Sequence, residues 1–178
     1  MQNLLFQGDH VLFAMVMVAL ICSLTFHEYG HAVVAYWYGD GTAKEQGRLT
    51  LNPLPHIDPF GLLMIVFIGF GFAKPVPVNG ARLNSRWAMG WVSVAGPFMN
   101  LLLAIVTINI FSLGIANEWS FFLTEQARYF FVYLAMINLI LMVFNLIPLG
   151  PLDGHYILPY FLPRSLSMRY RILNAKFG

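Results

Sequence analysis

Between residues 87 and 117 the chain carries neither a charged side chain nor a histidine. Coiled as a helix at 1.5 Å per residue, that run reaches about 45 Å, more than the roughly 30 Å apolar thickness of a bilayer. A stretch with no polar stripe to offer water must be solvated by lipid or by a large protein core. Composition decides between them. Of 178 residues, 58% are apolar and 10% charged, against about 25% charged in soluble domains. These values exclude a disordered chain, a nucleic-acid module and an ordinary cytosolic enzyme. The net charge of +2 is too small, and its basic residues too dispersed, to track phosphates. Cys22 is the single cysteine, so no internal disulfide can form.

Two further runs are long enough to span. The first covers residues 11–38 and stops at Gly39-Asp40-Gly41; it lacks the basic flank of a cleaved signal peptide and continues through His and Glu. The other covers 129–152, until Pro148 and Pro151 unwind it. A fourth run, 59–73, is short and broken by Gly69 and Gly71, which reads as a re-entrant or interfacial segment. Gly96-Pro97 inside the 87–117 run predicts a kink, with backbone groups freed near Ser93. Charge placement tests the number of crossings: if 59–73 crosses, the basic residues split between the two faces. If 59–73 dips without crossing, every basic residue except Arg128 falls on one face, which the positive-inside rule makes cytoplasmic. The expected fold is an all-α polytopic transmembrane bundle. It has three full spans, a short membrane-dipping segment, and room for a small β-hairpin. Residues 1–178 form one domain, with the N-terminus outside.

Ionisable groups inside spans are costly and by default functional. His27-Glu28-Tyr29-Gly30-His31 is the strongest case. Histidines at i and i+4 share a helix face and can reach one metal, and the neighbouring Glu28 can act on a water there. H-E-x-x-H is expected only about 0.003 times in a shuffled chain of this composition, so the match is specific. Catalytic zinc takes three protein ligands. The candidates for the third are His56, Asp58, Asp153 and His155. The histidines lie about 10–16 Å from the cytoplasmic end of their helix. The 129–152 run crosses in the same direction, and Pro148 and Pro151 can turn Asp153 inward, so Asp153 is the best third ligand. Asn100, about 20 Å in from the same face, reads equally as a donor to a scissile carbonyl or as an interhelical amide. Asn145 offers the same two readings. His56 sits in a proline-rich loop, where solvent could satisfy it or the metal could lie near.

Three blocks together resemble the site-2 protease family of intramembrane zinc metalloproteases. They are His27-Glu28-Tyr29-Gly30-His31-Ala32, Ala95-Gly96-Pro97-Phe98-Met99-Asn100, and the stretch from Asn145 to Gly154 that ends in Leu152-Asp153-Gly154. Residues 52–61 and 71–79 further resemble a compact bacterial and archaeal-type branch without a PDZ domain. The resemblance implies one Zn2+ per chain held by His27, His31 and Asp153, with Glu28 as catalytic base and Asn100 polarising the substrate. His56 and Asn145 are candidates for substrate or supporting contacts. It implies regulated intramembrane proteolysis of transmembrane protein substrates, in the lipid bilayer of a prokaryotic inner or plasma membrane, with the site toward the cytoplasm. Relatives continue past Asp153, which implies a core that ends after the third span. An extended Pro75-Val76-Pro77-Val78 could pair with an unwound substrate strand. A zinc transporter and a proteolytically silent zinc-binding scaffold are the rival readings.

Overall fold

The computed structural model describes residues 9–69 and 71–177. Five helices organise it: α1 (His10–Trp37), α2 (Pro59–Ile68), α3 (Ala88–Ala116), α4 (Glu125–Asn145) and α5 (Arg164–Phe177). Single helical turns lie at Thr42–Glu45, Ser120–Leu123 and Gly154–Ile157, and 3-10 turns at Leu54–His56 and Leu158–Tyr160. Three helices, α1, α3 and α4, are long and apolar enough to cross a membrane. At ten residues α2 reaches only about 15 Å, half a bilayer core, so as a helix it can enter a membrane but not traverse it.

Local chemistry sets the ends. The Asp9, Asp58 and Thr124 side chains accept from backbone N–H groups of Leu12, Gly61 and Ala127, capping α1, α2 and α4. Gly69, at φ +83°, ends α2 in the left-handed conformation that suits glycine. Helix α4 stops at Asn145, before Pro148 could break it. Pro97 lies buried inside α3.

Spans α1, α3 and α4 pack against one another as a triangular bundle. Its interior is built from small residues, with Ala19, Ala32, Ala35, Ala88 and Ala104 fully buried. Bulky apolar side chains such as Val18, Trp91, Phe98, Leu113 and Ile140 face outward. Water would invert that arrangement. In lipid, apolar side chains gain nothing by leaving the solvent, and small residues let backbones approach. One close approach is at Gly30, where a Cβ would lie 2.6 Å from Met99 Cγ and 2.7 Å from the Ala95 carbonyl oxygen.

The small β-hairpin does not form: no strand occurs among the described residues, and 71–79 runs as an irregular segment. Its donors are committed elsewhere. Lys74 N–H donates to the His56 carbonyl, Val76 N–H to Glu28 and Asn79 N–H to Asp40, while Pro75 and Pro77 have none to give. A ladder needs those groups, so the segment is a strap laid across the bundle instead.

Candidate metal centre

One turn of α1 presents His27, Glu28 and His31 toward the bundle interior, and all three are buried. The two imidazoles meet edge to face, with ring centroids 4.7 Å apart and Nε2 atoms separated by 3.0 Å. Space for them comes from Gly96 on α3. A Cβ there would overlap His31 Nε2 and lie 2.5 Å from His31 Cε1 and 2.7 Å from His27 Cε1.

Asp153 reaches the same point from the turn after α4. His27 Nε2 lies 3.2 Å from Asp153 Oδ2, and His31 Nε2 lies 3.4 Å from Asp153 Oδ1. Several contacts hold that turn. Gly154 packs where a Cβ would strike the carbonyl oxygens of Leu146 and Ile147. Further on, the Tyr160 hydroxyl donates to the Arg86 carbonyl just before α3. From α5, Tyr170 donates to the Pro148 carbonyl and Asn174 Oδ1 accepts from Gly150 N–H.

The hydrogen-bond partners assign the protons. His31 Nδ1 lies 2.8 Å from the Val92 carbonyl oxygen, and His27 Nδ1 lies 2.6 Å from Asn100 Oδ1. Both partners are acceptors, so each Nδ1 carries a hydrogen, and in the neutral rings each Nε2 presents a lone pair. Two lone pairs therefore face each other at 3.0 Å with a carboxylate beside them. Asp153 Oδ2 is buried and accepts no hydrogen bond. Alone, that arrangement repels itself. A cation at its centre reconciles it, because tetrahedral bonds of about 2.0–2.1 Å place ligand atoms about 3.3–3.5 Å apart. The donor atoms of His27, His31 and Asp153 form a metal-sized group, and a His2Asp set suits zinc or a related divalent ion.

Glu28 stands beside this group and not in it. Its Oε2 accepts from Val76 N–H at 2.9 Å, so the strap holds the carboxylate. The strap is itself clamped by Arg48, whose guanidinium donates to the Lys74 carbonyl at 2.5 Å, and by Asp40 at the end of α1. Burial would raise the Asp40 carboxyl, but hydrogen bonds from the Thr42 hydroxyl and from the Asn79 and Thr42 N–H groups outweigh it. They hold Asp40 below the usual carboxylate range.

None of the other candidates belongs to the metal group. His56 is buried, with Nε2 donating to the Thr50 carbonyl at 2.9 Å, while its buried Nδ1 has no hydrogen-bond partner. Asp58 caps α2. The His155 ring packs on Tyr156 with centroids 3.7 Å apart. Asn145 donates one N–H to the Leu141 carbonyl within its own helix. Asn100 is fully buried and committed: Oδ1 to His27, and Nδ2 to the Ser23 carbonyl and to Asn138 Oδ1. Both readings of Asn100 therefore meet in one residue, an interhelical amide that touches the site. Sequence reasoning missed the space-making role of Gly96 and the contact of Gly154. Each glycine stood inside a quoted motif, and nothing local revealed what a Cβ would meet.

Residues 15–119 and 112–178 match Peptidase family M50. Several relatives carry the description putative zinc metalloprotease. YwhC of Bacillus subtilis is 44% identical over 158 residues, which cover 85% of this chain and 71% of the relative. Rip2 of Mycolicibacterium smegmatis is 32% identical over 163 residues, covering 86% of this chain and 60% of the relative. Zinc metalloprotease MJ0392 of Methanocaldococcus jannaschii is 25% identical over 169 residues, covering 94% of this chain and 39% of the relative. No solved structure matches the chain. With the family match running from residue 15 to residue 178, the chain is a membrane protein of peptidase family M50.

Proposed function

We propose that the chain is the core of an intramembrane zinc metalloprotease that hydrolyses peptide bonds in or near transmembrane segments of membrane-protein substrates. One observation carries the reading. Three donors from α1 and the turn after α4 converge with lone pairs inward, at separations of 3.0, 3.2 and 3.4 Å, and Glu28 follows His27 directly. His27, His31 and Asp153 would hold the ion. When bound, zinc supplies Lewis acidity and lowers the pKa of a coordinated water toward about 7.

This chain's own residues do the rest. Glu28, held at Oε2 by Val76 N–H, takes a proton from the attacking water and passes it to the leaving amine. Asn100 holds the imidazole of His27. Donation by Asn100 to a substrate carbonyl would first require one of its amide hydrogens to leave Ser23 or Asn138. Asn145 has a second N–H outside its helix contact, and we place it as the candidate donor to the carbonyl that becomes an oxyanion. Because a helical substrate hides its carbonyls, it must unwind to react. Of the six strap residues 74–79, only Val78 keeps an N–H without an internal partner. Pairing with an unwound substrate would therefore rest mainly on strap carbonyls. The basic residues favour a cytoplasmic site in a prokaryotic inner or plasma membrane.

The test compares wild type, Glu28→Gln and Asp153→Ala for metal content and for cleavage of a transmembrane reporter. Glu28→Gln should keep zinc and lose cleavage, and Asp153→Ala should weaken both. Unchanged cleavage by Glu28→Gln would refute the mechanism. Zinc movement across vesicles without cleavage would instead support a transporter.

A further inference from the structure

Three polar side chains meet at the centre of the bundle, one from each span, and all are fully buried: Ser23 on α1, Asn100 on α3 and Asn138 on α4. An unpaired amide in such surroundings costs several kcal/mol, so their bonding should be complete. It is complete, and it has a direction. Ser23 Oγ donates to the Ala19 carbonyl at 2.7 Å. Asn138 Nδ2 donates to the Leu134 carbonyl and to Ser23 Oγ, each at 2.8 Å. Its Oδ1 is thereby turned to Asn100, which donates to it at 2.7 Å and to the Ser23 carbonyl at 3.1 Å. Asn100 Oδ1 is left facing His27 Nδ1 at 2.6 Å.

Asn100 is held in this sense from two sides, by the Ser23 carbonyl and by Asn138 Oδ1. An amide can rotate by half a turn and exchange its oxygen and nitrogen, but a main-chain carbonyl can only accept. The carbonyls of Ala19, Leu134 and Ser23 therefore fix the sense of the whole chain. If Asn100 were reversed, its NH2 would face His27 Nδ1. The imidazole would then carry its hydrogen on Nε2, where it cannot ligate a metal.

We propose that Asn138 is a positioning residue for the metal centre, which acts through Asn100 to hold His27 in the Nδ1–H tautomer with its Nε2 lone pair turned to Asp153 and His31. Asn138 is hydrogen-bonded to neither the donor triad nor Glu28. It completes a hydrogen-bonded relay from rigid backbone to a ligand's protonation pattern, the kind of support whose loss costs about 10–100-fold in metal affinity. The role in metal binding rests on the metalloprotease reading above; the tautomer itself does not.

The experiment uses the whole chain in detergent, labelled with 15N at histidine. Nitrogen shifts of the metal-free protein in mildly alkaline buffer report each tautomer, and competition with a chelator gives zinc affinity. Wild type should show His27 as Nδ1–H. Asn138→Leu should move His27 toward the Nε2–H form and weaken zinc about 10–100-fold, while His31, held by the Val92 carbonyl, stays unchanged as an internal reference. Val16→Ala, a buried change on α1 outside the relay, should lower thermal stability and leave both readouts alone. If Asn138→Leu does not fold, Ser23→Ala removes one acceptor of the Asn138 amide and should shift the same signal less. An unchanged His27 tautomer in the folded variant overturns the proposal, as does an equal effect from Val16→Ala. A wild type that binds no zinc overturns the metalloprotease reading, and the tautomer result still judges the relay.

Discussion

Gly96→Ala is the sharpest perturbation of the site, because it adds one methyl group and removes nothing. A Cβ at this position would lie 2.5 Å from His31 Cε1 and 2.7 Å from His27 Cε1, where ordinary contact begins at 3.4 Å. The shortfall is about 0.7–0.9 Å against two rings at once, and the overlap with His31 Nε2 is deeper still. Neither ring can yield freely, since His31 Nδ1 is bound to the Val92 carbonyl and His27 Nδ1 to Asn100. Relief must come from moving the rings or from parting α1 and α3, an overpacking strain of about 1–3 kcal/mol. Metal bonds tolerate displacements of only about 0.2 Å. The expected result is a loss of zinc affinity of about 10–100-fold, the scale of a disturbed ligand orientation, with a much smaller fall in thermal stability. Chelator competition and thermal unfolding on the same detergent sample measure both. Zinc affinity within about threefold of wild type would refute the argument, because it would mean the imidazoles do not depend on the space above Gly96.

Two other outcomes follow from the strap. Val76→Pro removes the N–H that holds Glu28, a charge-assisted bond worth about 1.5–3 kcal/mol. Reporter cleavage should fall about tenfold or more, with zinc content unchanged because Glu28 lies outside the donor group; parallel loss of zinc would count against the separation of roles. Asp40 predicts a pH dependence. Its carboxyl is held below the ordinary value in the folded chain, so its contribution to stability is present above the unfolded pKa, about 3.9, and is lost as pH falls through the lower folded value. Amide exchange at Asn79 and Thr42 should accelerate across that acid window in wild type. In Asp40→Ala it should be fast already at neutral pH, and an identical exchange profile in the two proteins would contradict the anchor.

The sequence by itself marked out the spans, the motif and the best candidate for a third metal donor. Uncharged runs had to be helices in lipid because backbone groups there have no other partners. An i, i+4 histidine pair is a local fact of helix geometry, which made His27 and His31 legible, and Asp153 followed from the direction of crossing and the prolines before it. Only the tertiary structure decided what surrounds them. That 71–79 is a strap and not a hairpin depended on where its N–H groups found acceptors, on Glu28, Asp40 and His56. That Asn100 serves His27 depended on Ser23 and Asn138, 77 and 38 residues away in the chain. Periodicity reports which face of a helix is apolar, but it carries no information about which buried polar groups meet across helices. In a bundle packed through small residues, those meetings are set by the distance between backbones, and Gly30 and Gly96 fix that distance where α1 and α3 enclose the site.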